Sequence, residues 1–212
     1  MNSASIARIL PLAALAVMLA ACASKPPPVP TLTLLGRTCA AKPDLASATT
    51  VPMADDKPVK VTLDDKTPCV EAPGSGKTAY VAFSLPVSDD EYILSVTSVP
   101  VGDGRLLPRL VLADGEGKAL RDIPSDMFLA HGTALKAGLR PHPGERYLIV
   151  SSDPNAIGQT KSQIVDGTQV SAAYVAGGGT IMIHTGYENN VSLTNSYNGT
   201  VIVAAQPIPK AK

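Results

Sequence analysis

Tryptophan is absent from this chain, phenylalanine occurs twice and histidine three times among 212 residues. A binding face of flat rings, the usual platform under a pyranose, is therefore poorly supplied. The histidines, His131, His142 and His184, are too scattered in sequence to show metal-ligand spacing. No Gly-x-Ser-x-Gly, His-Glu-x-x-His or Cys-x-x-Cys pattern occurs, so the familiar hydrolase, zinc-protease and redox signatures are missing. Excess charge is missing too, with 18 basic residues against 18 acidic ones. Bulk charge cannot hold a nucleic acid here. The expectation is a protein that is not an enzyme, with no catalytic residues, no metal and no cofactor.

What is present starts at the N-terminus. MNSASIARILPLAALAVMLAACASK places Arg8, an apolar run and small residues before Cys22, the layout of a secretory signal. Leu19-Ala20-Ala21-Cys22 resembles the lipobox of bacterial lipoproteins, which implies cleavage before Cys22 and lipid on its thiol. The run is shorter than the roughly 20 apolar residues that a spanning helix needs. Two or three acyl chains anchor firmly, each buried methylene adding about 0.8 kcal/mol. Ala23 stands where an Asp commonly retains lipoproteins in the inner membrane. By resemblance to enterobacterial sorting, the expected place is the bacterial outer membrane, facing the periplasm. Cys39 and Cys69 are then left in an oxidising compartment and are expected to form a disulfide, the alternative being two separate thiols.

After Cys22 the run KPPPVP, residues 25–30, favours an extended polyproline II spacer. The chain divides into a signal peptide at 1–21, a lipidated N-terminus with proline-rich spacer and irregular segment at 22–58, one domain at 59–207 and a tail at 208–212. Strand signals crowd the domain: VKVTL at 59–63, AYVAFSL at 79–85, YILSVTS at 92–98, PRLVLA at 108–113, RYLIVSS at 146–152, TIMIHT at 180–185, NVSLT at 190–194 and TVIVAA at 200–205. Asp-Gly turns at VGDGR and ADGEGK separate some of them. Asp153 followed by Pro154, with Ala156, Ile157, Thr160 and Ile164 in a stripe, predicts a short surface helix. The fold class is mainly β, an antiparallel β-sandwich with one short helix.

Three stretches invite a chemical reading. EAPGSGKTAY, residues 71–80, contains Gly-Ser-Gly-Lys-Thr, but Glu71 stands where a phosphate-binding loop has its leading Gly. A strand rather than a helix follows, so no nucleotide is expected. Asp103, Asp114 and Glu116 lie in turns without the alternating oxygen ligands of a calcium loop. AGGGT at 176–180 reads as a connection between strands. HTGYENNVSLTNSYNG, residues 184–199, gathers amides and phenols, and Tyr187, Asn189, Asn190, Asn195 and Tyr197 are candidate binding residues for sugar hydroxyls or a protein partner.

The order of VAFSLP, YILSVTS, PRLVLADGEGKAL, PSDMFL, RYLIVSSDPNAIGQTKSQI and SAAYVAGGG resembles the maltose operon periplasmic protein (MalM) family over roughly residues 58–205. The resemblance implies a periplasmic β-rich protein, accessory to maltose and maltodextrin transport, without established enzymatic activity and without catalytic residues to carry over. The lipobox and the Cys39/Cys69 pair stand on this sequence alone. The expected function is a non-enzymatic periplasmic lipoprotein, partnered by the membrane through Cys22 and by an envelope protein or maltodextrin. The alternatives are a protein-binding or assembly module of the outer membrane and, least favoured, an enzyme on envelope glycans.

Overall fold

The computed structural model describes residues 33–53, 57–72, 76–175 and 179–209. The signal, Cys22, the proline-rich spacer, Gly177, Gly178 and the last three residues lie outside them. In chain order the strands are β1 Thr49–Thr50, β2 Val59–Leu63, β3 Cys69–Ala72, β4 Gly76–Ser84, β5 Tyr92–Val99, β6 Gly104–Leu106 and β7 Pro108–Ala113. They continue with β8 Ala119–Ile123, β9 Leu129–His131, β10 Ala134–Leu139, β11 Tyr147–Ser152, β12 Thr160–Val175, β13 Gly179–Ser196 and β14 Gly199–Pro207. One sheet runs β1-β4-β11-β7-β8 with β3 added beside β4, and a second runs β2-β14-β5-β10-β9. All pairings in these two sheets are antiparallel except β1 with β4.

The period-two alternation decides how the sheets face each other. In β4, Ala79, Val81 and Phe83 point inward, alongside Leu110 and Leu112 of β7 and Leu148 and Val150 of β11. They meet Leu94 and Val96 of β5 and Val201, Val203 and Ala205 of β14, giving the single buried layer of an antiparallel β-sandwich. Tyr80 and Ala82, on the other face of β4, form a smaller cluster with Ala113 and Ile149. Leu45 and Ala48 of the N-terminal segment pack on it, and the Asp44 amide donates to the Tyr80 hydroxyl at 2.7 Å. That segment, irregular by its sequence, also sends Leu34 and Val51 into the main core. The Cys39–Cys69 disulfide forms and ties the segment to β3.

Two local expectations change. The helix expected from Asp153 is a single 3-10 turn, Pro154–Ala156, with Asp153 capping the Asn155 amide at 3.0 Å. Gly158, at φ +81°, ends it, and β12 begins at Thr160. Of the stripe only Ala156 is buried: Ile164 is 68% exposed, and its backbone is held in a ladder opposite Asn190. TIMIHT and NVSLT are one strand rather than two, because Gly186 between them stays in register opposite Thr168.

Gly199 starts β14 at a close crossing over β6. A Cβ there would lie 2.5 Å from the Leu106 Cβ and 3.0 Å from its backbone nitrogen. Gly199→Ala is expected to destabilise the domain by about 1–3 kcal/mol through overpacking. At about 2–4 °C per kcal/mol the thermal midpoint falls measurably; an unchanged circular-dichroism melt would mean that β14 yields at this crossing.

Candidate functional site

β12 and β13 form an arm. They pair residue for residue from Thr160 with Thr194 to Val175 with Gly179. At the root β13 also lies parallel to β6, over residues 194–196. Beyond that root neither strand pairs with any other described strand. Sixteen residues at about 3.3 Å each give a ladder of about 50 Å, well beyond the ordinary strand of 3–10 residues. Near the root the ladder is reinforced by paired hydroxyls, Thr160 with Thr194 at 2.9 Å and Ser162 with Ser192 at 2.8 Å.

Arg105 fastens the root. It is 4% exposed, and its Cα lies opposite that of Asn195 across the parallel pairing. Its guanidinium donates to Gln163 Oε1 at 3.2 Å and to Asn195 Oδ1 at 3.5 Å. Gln163 in turn donates to the Gly132 carbonyl at 2.7 Å, joining β12 to the β9–β10 turn. Burial pulls the guanidinium below its ordinary pKa. Arg105 Nε and Asn195 Nδ2 have no hydrogen-bond partner among the described residues, so the seam carries buried donors in excess of acceptors.

The sequence-selected residues are strung along β13 and the turn that follows it instead of meeting. Asn189 and Asn190 are exposed, opposite Val165 and Ile164, and as neighbours in a strand they lie on opposite faces. Tyr187 shares the face of Asn189 by register, opposite Gly167, and its side chain lies outside the described ones. Asn195 is buried in the seam. Tyr197, in the β13–β14 turn, donates to the Lys77 carbonyl at 3.2 Å, and burial raises its phenol pKa. Arg105 carried no signal in the sequence, because nothing local marks an arginine as buried. The arm did carry one: between Pro154 and Pro207 a chain with 19 prolines has none.

A cleft of about 580 Å³ lies between the loops at 86–91 and 140–146. Its titratable groups brace the loops. Glu145, with a 2% exposed side chain, accepts from Arg121 at 2.9 Å and from the His142 amide at 2.7 Å. Arg121 also donates to the Arg140 carbonyl at 3.0 Å. Tyr92 donates to the Pro86 carbonyl at 3.2 Å, and its pKa is raised by burial and then by Glu145, against the pull of Arg146. His131 ends β9, His142 lines this cleft and His184 lies in β13, so the three belong to separate places. Among the described residues no group of three His, Cys, Asp or Glu is arranged to hold a metal. Asp114 Oδ1 is taken by the Glu116 and Lys118 amides of its own turn, at 3.0 and 2.9 Å.

In the Gly-Ser-Gly-Lys-Thr stretch, residues 73–75 lie outside the described ones and the rest is strand. Lys77 donates to the Arg37 carbonyl at 2.7 Å, and the buried Thr78 hydroxyl to the Ser152 carbonyl at 2.9 Å. Both side chains that a phosphate loop would use hold neighbouring backbone here. Compared with known protein families and with curated proteins, the chain matches no family model and no curated sequence.

Proposed function

We propose that this chain is a non-enzymatic, MalM-like lipoprotein, held in the outer membrane through Cys22 and facing the periplasm, where it docks an envelope protein as an accessory to maltodextrin uptake. The observation that carries the docking role is the arm, two long strands whose outer edges, beyond the root where β13 lies along β6, are unpaired among the described strands. An unpaired edge offers a row of backbone donors and acceptors to an incoming strand. Near the root, Asn189, Asn190 and Ile164 are exposed beside those edges. The carbohydrate setting follows from the family resemblance, and the anchor from the lipobox.

Two measurements test this. Cys22→Ser should move the protein from the membrane fraction to the soluble periplasmic fraction; full retention in membranes would remove the anchor. A photo-crosslinking residue at position 190 in intact cells should capture a discrete envelope protein, whereas one at Glu116, in the exposed β7–β8 turn, should not. Equal, diffuse labelling from both sites would count against docking along the arm.

A further inference from the structure

The arm is two regions with a sharp border. From Gly167 to Tyr187 the chain has no Asp, Glu, Lys or Arg, although 17% of the whole is charged and 21 residues at that rate would carry three or four. The ladder sets both ends of this uncharged stretch at one level: Asp166 lies opposite Glu188, and the next pair outward is Gly167 with Tyr187. Each strand then runs nine residues, 167–175 and 179–187, to the pair of Val175 with Gly179. Two carboxylates placed directly opposite destabilise an isolated ladder. At a water–lipid border the same pair stays hydrated and fixes how deep the arm can go.

We infer that this distal part is a membrane-inserting β-hairpin, and that copies of this chain place their arms edge to edge to close a β-barrel in the bilayer. The lengths agree. Nine strand residues span about 30 Å, and a spanning strand needs about 9–11. At barrel tilt this covers about the 25 Å apolar band of outer-membrane barrels. Apolar residues occupy both faces by register, Val170, Ala172 and Met182 on one and Ala173, Ile181 and Ile183 on the other. The polar residues among them, such as Gln169, Ser171 and Thr185 and, opposite Val170 by register, His184, carry no formal charge at pH 7. Tyr187 stands at the border pair and Tyr174 one pair from the far end, the two levels at which aromatic girdles sit.

Met182 is 57% exposed in the single chain, so nothing among the described residues covers that position. Water does not favour a two-stranded ribbon of this length. Hydrocarbon cannot accept its open edges, since every backbone group there must be paired within the protein. A ring of identical arms meets both demands, each supplying two strands and each edge meeting a neighbour's. The residues near the root, with Asn189 and Asn190, stay in water for the docking role. The inference rests on the lipidated Cys22 of the proposed function, which keeps the arm at the bilayer.

The test uses the lipidated full chain in vesicles of phosphatidylethanolamine and phosphatidylglycerol. With Cys22 acylated and Cys39 and Cys69 bridged, Met182→Cys supplies the one thiol for an environment-sensitive dye, and Asn190→Cys serves as the control. The position-182 dye is expected to shift to the blue and lose most of its quenching by iodide, while the position-190 dye keeps both aqueous signatures. Chemical crosslinking should give a discrete ladder of homo-oligomers that Ile181→Asp abolishes. Flotation with the vesicles reports the anchor separately. A chain that floats with the position-182 dye still aqueous overturns the insertion alone, and a shifted dye on a monomeric chain overturns the closure. A chain that neither floats nor shifts overturns the anchor and the insertion together.

Discussion

Phe83→Ala should be the most damaging single change in the sandwich, costing about 3–5 kcal/mol. Phe83 is fully buried one residue before the end of β4, opposite Leu148 of β11 on one side and Thr49 of β1 on the other. Truncation removes the ring's transfer free energy and leaves a cavity between two hydrogen-bonded sheets that collapse poorly. With a midpoint shift of about 2–4 °C per kcal/mol, melting should fall by roughly 10 °C. Phe83→Leu, which keeps most of the volume, should cost clearly less. Equal losses from both variants in denaturant titration would mean that ring shape, not cavity volume, sets the cost.

Breaking the Cys39–Cys69 bridge comes second. It closes a loop across a separation of 30 residues, which the chain-entropy account values at about 3–4 kcal/mol. The Cys39→Ser, Cys69→Ser double variant should therefore unfold at distinctly lower denaturant concentration, and reductant should do the same to the unmodified protein. The effect reaches beyond stability. The bridge, with Lys77 on the Arg37 carbonyl and Arg37 on the Thr67 carbonyl at 2.8 Å, holds the segment through which the chain leads back toward Cys22. Protease cleavage within residues 33–53 should accelerate in the double variant. An unchanged cleavage rate would mean that Leu34 and Val51, buried in the core, hold the segment unaided.

Phe83 also illustrates what local pattern can carry. Tyr80-Val81-Ala82-Phe83 alternates, and period two alone assigns Val81 and Phe83 to one face and Tyr80 and Ala82 to the other. The structure separates them into the two clusters accordingly. The same reasoning failed at Asp153–Ile164, where a cap, a proline and a loose stripe suggested a helix. There the ladder with β13, remote in sequence, outweighed local propensity. The candidate residues on β13 were chosen as a composition cluster, and strand geometry spread them over two faces and a buried seam.

Sequence by itself determined the β character, the alternating strands of the sandwich and the absence of the leading glycine from the phosphate-loop pattern. Each depends on near neighbours, on residue counts or on a period that repeats along the chain. Tertiary structure alone decided that Cys39 bonds Cys69, that Arg105 is a buried fastening, that the N-terminal segment completes the core, and that Asp166 stands opposite Glu188 in the ladder's register. Those facts depend on which distant residues become neighbours, and register between strands is fixed by the whole ladder and its packing rather than by any one residue.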